Sequence, residues 1–427
     1  MAQGALPGFR DFYPEDLAQR AYILGVWRDV LRRYAFVEYD GPPLEPLDLY
    51  RKKSGGELVG QIYTFKDRGE REVALRPEMT PTFARMVAAR ANALRKPVRW
   101  FSIPQLFRQE KQQRGRLREH FQLNADIVGE ESVTADAELL AVALDVMKSF
   151  RLERKDVVAK VSDRRLLEAL LRDAGVAESA LQDLYPIIDK RGREPASVYR
   201  EKLQGAVGNE ETADKVEAIF GCHDVASLLE RYGDVPSATE HVERMRQYLV
   251  YVGALGFGEW VQLDLSIVRG LAYYTGIVFE LFDTAGELRA ICGGGRYDTL
   301  LETLGGVDLP ALGFGMGDVV LGELLRSRNL IPSTEVRIDF WVAFDDASLL
   351  EDVMTVAAQL RQRNRSAEYS LRPQQLGRQL KTAAGIGARE AVLLKRERFQ
   401  SREVTVKDLD SGTERVMPLD EFLETLG

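Results

Sequence analysis

The chain has 427 residues, of which 45% are apolar and 29% charged, and its net charge is −8. That length calls for more than one domain with a large core, and the acidic balance excludes generic polyanion binding by the whole surface while leaving local basic patches open. Two distant cysteines, Cys222 and Cys292, exclude a disulfide framework and any zinc pattern, and the Cys222-His223 pair reads as incidental. The N-terminal stretch lacks a basic region followed by an apolar run, and the longest nearly apolar run, Tyr248 to Phe257, is too short to span a bilayer. A cytoplasmic protein with no membrane segment is the expectation.

Residues 4–14 read as a turn leading into a helix. Pro14, Glu15 and Asp16 suit its start, Leu17, Ala21, Leu24 and Leu31 give its apolar stripe, and Arg32 and Arg33 suit its last turn. A short strand at Phe36–Tyr39 is broken by Gly41-Pro42-Pro43. Tyr63–Asp67 and Glu72–Arg76 flank Asp67-Arg68-Gly69 as a hairpin, and a helix is expected from about Thr82 to Ala93. Val98–Ile103 and Leu106–Lys111 are further strand candidates.

The stretch from Phe107 to Val128 carries the strongest signal. Its first half is turn-like and basic, with Arg108, Lys111, Arg114, Arg116 and Arg118. Its second half alternates: Phe121, Leu123, Ala125 and Ile127 point one way, and His120, Gln122, Asn124 and Asp126 the other. An amphipathic edge strand would alternate too. Short amides and a carboxylate beside clustered arginines suit a pocket that fixes a small polar molecule next to an anion.

Thr134 to Phe150 is expected as a helix capped by Thr134. Strands mixed with helices without a regular βαβ rhythm argue for an α+β domain on an antiparallel sheet. From Asp163 to about Leu255 the texture is helical and reads as an insertion (about 163–255). Strand chemistry resumes at Val261–Ile267, continues through Thr275–Phe282 and Leu288–Ile291, and meets Gly293-Gly294-Gly295. This cluster and Gly313-Phe314-Gly315-Met316-Gly317 read as tight turns or close packing. The first domain is placed at 1–325 and a linker at 326–336. An α/β domain follows at 337–427, with strands at 338–344, 367–370, 390–395 and 403–407 and helices at 347–363 and 374–384. From Arg361 to Gln400 there are ten Lys and Arg against three acids, a local charge of +7. That patch is either a solvated face or a nucleic-acid-facing surface.

No phosphate-binding P-loop and no dinucleotide fingerprint is present. Arg269-Gly270-Leu271-Ala272-Tyr273-Tyr274 follows a strand. Adjacent tyrosines are common in cores, yet an arginine with phenol hydroxyls can also bind a carboxylate or phosphate and a polar ring.

Taken together, these motifs resemble the histidyl-tRNA synthetase family of class II aminoacyl-tRNA synthetases. The residues that carry the resemblance are Arg76-Pro77-Glu78-Met79-Thr80, Phe107-Arg108-Gln109-Glu110, Arg114-Gly115-Arg116, Gln122–Asp126, Arg269–Tyr274 and Gly293–Asp298. It spans nearly the whole chain and is weakest in the helical insertion. It implies a catalytic antiparallel sheet flanked by helices, a homodimer with Pro42 near its interface, and a C-terminal anticodon-binding domain. It implies tRNA(His), L-histidine and ATP as partners, with Mg²⁺ alongside ATP. Glu78, Met79 and Thr80, with Gln122, would hold the histidine ammonium. Asp126 and one of Tyr273 and Tyr274 would read its imidazole. Arg108 would bind the α-phosphate, and Arg269 would bridge that phosphate and the carboxylate. Glu110, Arg116 and His120 would hold the rest of ATP. Arg269 and Arg108 would be the catalytic pair, acting by position and charge. The three histidines, His120, His223 and His241, form no catalytic-base constellation.

The chain departs from the family pattern at three places. Ala272 stands where an aspartate is usual, His120 where an aromatic is usual, and Val319 and Val320 where the third motif has an acid and an ATP-binding arginine. Arg114 and Arg118 are the candidates to take up part of that arginine's task. Loss of the arginine also suits an alternative, the synthetase-like regulatory subunit of ATP phosphoribosyltransferase, a histidine sensor that typically lacks the last domain.

Overall fold

The segment Val133–Ser149 has too many apolar residues for one stripe, and a helix apolar on nearly every side must be buried. It forms the central helix of the larger unit and packs under the sheet described below. It starts one residue before the expected point, with Ser132 as its cap position; the Thr134 hydroxyl instead meets that of Ser132 at 2.6 Å. The computed structural model describes residues 4–51, 60–110, 115–192, 194–268, 273–332 and 337–426. The chain divides into two compact units, one made of residues 1–11 and 19–332, the other of residues 12–18 and 333–427.

In the larger unit the strands are β1 Val37–Glu38, β2 Leu44–Pro46, β3 Thr64–Lys66, β4 Glu72–Leu75, β5 Val98–Ser102, β6 Gln105–Phe107, β7 Glu119–Val128, β8 Val157–Asp163, β9 Val261–Leu263, β10 Ile277–Asp283, β11 Cys292–Arg296 and β12 Ala311–Gly317. The main sheet runs β1-β5-β7-β12-β11-β10-β8-β9, with β6 also on β7, while β2, β4 and β3 form a small sheet. Pairing is antiparallel except at the two ends, β1 on β5 and β8 on β9. This is the expected α+β architecture on an antiparallel sheet.

Several boundaries differ from expectation for local reasons. The helix after the hairpin spans Thr80–Ala88, starting at Pro81's permitted first-turn position and ending five residues early. Val261–Ile267 is strand only to Leu263. Beyond it the Asp264 carboxylate accepts from the backbone N–H of Ser266, which closes a turn. No strand forms at 288–291; β11 begins at Cys292 and contains all three glycines. β8 was not anticipated. It ends on Asp163, which also caps the helix Arg164–Asp173 by accepting from the N–H groups of Arg165 and Leu166. Helices follow at Leu181–Ile188, Ala196–Val207, Glu210–Ile219, Val225–Tyr232 and Thr239–Ala254, and their apolar faces join the same hydrophobic cluster as the sheet.

The smaller unit has a five-stranded sheet ordered β14 Ala367–Tyr369, β13 Phe340–Phe344, β15 Glu390–Leu394, β16 Glu403–Asp408 and β17 Glu414–Pro418. Its first three strands are parallel and its last two antiparallel. Leu350–Gln362 and Leu376–Gly385 are its main helices; β17 and the closing helix Leu419–Glu424 extend the expected pattern.

One buried charge cluster ties the larger unit together. Arg296, at the end of β11, donates to both Asp136 oxygens at 3.0 and 2.7 Å, and to the carbonyls of Glu130 and Ser132. It also meets Asp298, whose other oxygen takes Arg165 at 2.8 Å. The end of this interior strand and the central helix are thereby tied together. Arg296→Ala is expected to cost about 3–5 kcal/mol, because it leaves the Asp136 charge buried without its main partner. Arg28→Ala, which breaks the exposed 2.9 Å pair with Glu38, should cost less than about 1 kcal/mol. Urea unfolding followed by circular dichroism compares the two, and equal costs would contradict this account.

Candidate active site

β7 presents two faces of different chemistry. Leu123, Ala125 and Ile127 join the core beneath the sheet. On the other face stand His120, Gln122, Asn124 and Asp126, as the alternation predicts. β12 runs antiparallel to it, with Gly313 opposite Asp126, Gly315 opposite Asn124 and Gly317 opposite Gln122. A Cβ on Gly313 would lie 2.0 Å from the Asp126 carboxylate, and one on Gly315 would lie 2.9 Å from the Gln122 amide. These glycines leave room for their neighbours' polar side chains. Between them Phe314 and Met316 point into the core. The glycines of β11 serve close packing too, since a Cβ on Gly294 would strike the Phe314 side chain at 2.5 Å.

Asp126 is only 5% exposed. Its carboxylate accepts the Tyr297 hydroxyl in a short hydrogen bond, and burial followed by the Asp126 charge pushes that phenol well above its usual range. The Tyr273 ring meets Tyr297 edge-on at 5.9 Å and lies 4.7 Å from Tyr274. Asp126 and the tyrosine pair are therefore brought into one cluster. Tyr297 is its unanticipated member. Arg269, with Gly270, Leu271 and Ala272, lies outside the described residues, as do Lys111 and Arg114.

The basic loop closes at its base through Arg108 N–H donating to the Arg118 carbonyl at 2.9 Å. The Arg108 guanidinium donates to the Pro77 carbonyl at 2.9 Å, which ties it to the segment carrying Glu78 and Thr80. Glu110 is nearly buried, with Arg116 at 2.7 Å and Arg108 at 3.7 Å. Arg116 itself is half exposed. Burial, then the charges of Arg108, Arg10 and Arg116, push the His120 imidazole down to about 3. It is neutral near pH 7 and presents an uncharged ring. Met79 is fully buried, with its side chain in the core.

Arg108, Glu110, Arg116, His120 and Gln122 line one cleft of about 1,230 Å³, floored by Gly293 and Gly315. Glu78, Thr80, Asp126 and the tyrosines are not among its lining residues. The far wall carries Lys160, Asp264 and Glu280. Lys160 meets Asp264 at 3.0 Å, and the Ser266 hydroxyl donates to the same carboxylate at 2.5 Å. Burial opposes the Asp264 charge, but Ser266 and Lys160 hold its carboxyl below the usual range. Val319 and Val320 also line the cleft, and a Cβ on Gly115 would lie 3.2 Å from the Val320 side chain. Apolar packing thus occupies the place where an arginine was expected. Arg118 is turned elsewhere, 3.4 Å from the carbonyls of Glu110 and Pro7, and does not line the cleft. The signal that could have found the floor is glycine at 313, 315 and 317. A period of two marks a strand face cleared for neighbouring side chains.

The family model for histidyl-tRNA synthetase matches residues 8–317, and that for the anticodon binding domain matches residues 334–427. The histidine–tRNA ligase of Opitutus terrae is 39% identical over 98% of this chain and 96% of its own length. The chloroplastic/mitochondrial histidine–tRNA ligase of Arabidopsis thaliana is 41% identical over 97% of this chain and 85% of its own. Among solved structures, a histidyl-tRNA synthetase from a Nostoc species superposes with a TM-score of 0.83 at 24% identity, covering 100% of this chain and 99% of that one. The last likeness concerns the fold alone. With the first motif model spanning most of the chain and relatives aligned almost end to end, the chain belongs to the histidyl-tRNA synthetase family.

Proposed function

We infer that this chain is a histidine–tRNA ligase, which activates L-histidine with ATP to histidyl-adenylate and transfers it to the 3′ end of tRNA(His). The observation that carries the reading is the near-complete alignment with histidine–tRNA ligases on both units, the anticodon binding domain included. The regulatory-subunit alternative is not favoured by those relatives.

The histidine site is the Asp126 cluster. Asp126, oriented by Tyr297, accepts one imidazole N–H, and a hydroxyl of the Tyr273–Tyr274 pair serves the other ring nitrogen. Glu78, Thr80 and Gln122 hold the α-ammonium; Met79, buried, contributes through its backbone. The ATP site is the arginine-lined cleft. Arg108 binds the α-phosphate, Glu110 and Arg116 hold the nucleotide, and the neutral His120 ring lies against adenine. Arg269 bridges the phosphate and the histidine carboxylate. That carboxylate is already ionised at neutral pH, so the first step needs no base. It needs two anions held in line and charge stabilised as pyrophosphate leaves, which fixed guanidinium groups supply.

Among the described residues no group of three or more metal-ligating side chains occurs. Mg²⁺ on ATP needs only one or two carboxylates besides phosphate, and Glu110 and Glu280 line the cleft. When bound it neutralises charge on the triphosphate.

In this reading residues 1–325 are the catalytic domain with the insertion at about 163–255, 326–336 a linker and 337–427 the anticodon-binding domain. The enzyme works in the cytoplasm as a homodimer. Exposed Val37, Leu44 and Phe65 around Pro42 support an interface there. Among the described residues no helix is long and apolar enough to cross a membrane. Within the +7 patch, Arg361, Arg363 and Arg365 donate to backbone carbonyls of their own unit. Arg372, Arg378 and Lys381 are exposed and are the phosphate-facing part of the patch.

Purified protein should catalyse histidine-dependent exchange of pyrophosphate into ATP with Mg²⁺; no exchange would return the sensor reading. Gly313→Ala should raise KM for histidine at least about tenfold, by displacing the Asp126 carboxylate, while KM for ATP stays within about twofold. A parallel rise in both would detach Asp126 from histidine recognition. Reversing charge at Arg372, Arg378 and Lys381 together should raise KM for tRNA about tenfold or more and leave exchange intact. An unchanged aminoacylation profile would make the patch a solvated face.

A further inference from the structure

The residues flanking His120 are both anchored to one guanidinium that belongs to neither side of the cleft. Arg10 donates from Nε to Glu119 at 2.6 Å and from Nη1 to Asp318 at 2.9 Å. Glu119 opens β7, is 1% exposed, and accepts the Gln105 amide of β6 with its other oxygen at 2.9 Å. Asp318 opens the helix Asp318–Ser327, is 5% exposed, and accepts the backbone N–H of Phe121 with its other oxygen at 2.9 Å. The residue before His120 is thus fixed by its side chain and the residue after it by its backbone. The turn that carries Arg10 is docked on the same strand. The Gly8 carbonyl accepts the N–H groups of Arg118 and Glu119 at 3.0 and 3.3 Å. Gly8 has φ +87°, and a Cβ there would lie 2.7 Å from the Arg118 side chain, so only glycine keeps the turn against the base of the loop.

Two buried carboxylates face each other across Arg10, with the guanidinium fork lying between them. The helix that Asp318 opens is the one carrying Val319 and Val320, the positions without the expected arginine. We propose that Arg10 is the positioning residue of the ATP site, holding His120 and the start of the Val320 helix in place through Glu119 and Asp318, in the part of the site from which the third-motif arginine has gone. Arg10 does not line the cleft and acts through its two partners. This inference rests on the ATP reading of the cleft.

The test uses the full chain and three variants, with ATP affinity by calorimetry in the absence of histidine and KM values from pyrophosphate exchange. Arg10→Gln should weaken ATP binding and raise KM for ATP about tenfold or more, while KM for histidine moves by less than about twofold. Arg10→Lys keeps a charge but not the fork, and should recover thermal stability without recovering ATP affinity. The double variant Arg10→Gln with Asp318→Asn removes one of the two facing carboxylates along with the guanidinium and should regain folding if Arg10→Gln alone loses it, with ATP affinity still low. Unchanged ATP affinity in a folded Arg10 variant would overturn the proposal. Equal losses for ATP and histidine, or full recovery by lysine, would overturn it too and leave Arg10 a purely structural residue. Wild-type protein that binds ATP but exchanges no pyrophosphate would instead strike the ligase reading, and the calorimetric comparison would still decide Arg10.

Discussion

A sheet that is buried beneath by an apolar helix can carry a polar site above only if something makes room for it. Here the room comes from side chains that are absent. Gly313 and Gly315 lie beside Asp126 and Gln122 on the upper face, while Phe314 and Met316 fill the lower. Every other position of one strand is therefore empty above and full below. The Asp126 carboxylate sits in the space that a Gly313 Cβ would need, and Tyr297 reaches it from the end of β11. The Asp126 cluster, the cleft floor and the packing of the central helix all depend on that alternation.

Burial of this kind makes charge expensive, and the chain meets the cost with shared guanidinium groups. Arg296 serves Asp136, Asp298 and two backbone carbonyls at one end of the sheet. Arg10 serves Glu119 and Asp318 at the other. Each arginine joins segments more than a hundred residues apart, and each places a residue beside it: Tyr297 follows Arg296 directly, and His120 follows Glu119. The fork geometry of arginine lets one cation fix two acids in a defined arrangement, which a lysine point charge does not do as well. Stability and site geometry are coupled through the same contacts.

How much of this was legible beforehand follows from whether a signal is local. The alternation of β7, the hairpin around Asp67-Arg68-Gly69 and the first helix were readable because period and turn chemistry lie within a few residues. β11 was not, since Cys-Gly-Gly-Gly-Arg has little strand propensity and is a strand only because β10 and β12 pair with it. β8 was passed over although Val157, Ala159 and Val161 alternate toward the core, and only its last residue, Asp163, was read, as the start of the next helix. The pairing of Tyr297 with Asp126 and of Arg10 with Asp318 joins positions 171 and 308 residues apart, and no window along the chain contains both members. The residue roles are expectations that come through resemblance to the family, and the departures from its pattern showed only where to look.

The third motif is the clearest case of such a departure. Read as a string, Val319 and Val320 are a departure, because the resemblance implies an acid and an arginine at those positions. In the fold, Val320 is 9% exposed and lies where a Cβ on Gly115 would meet it at 3.2 Å, so the position now packs the loop instead of pairing with an anion. One residue earlier, Asp318 reaches across to Arg10 and to the backbone beside His120. Where the resemblance implies an arginine, the chain instead has a charged contact within the protein close by, between Asp318 and Arg10. Arg108 and Arg116 line the cleft beside His120, while Arg10 and Asp318 meet each other outside that lining. Position and charge are then divided between different residues at this end of the site.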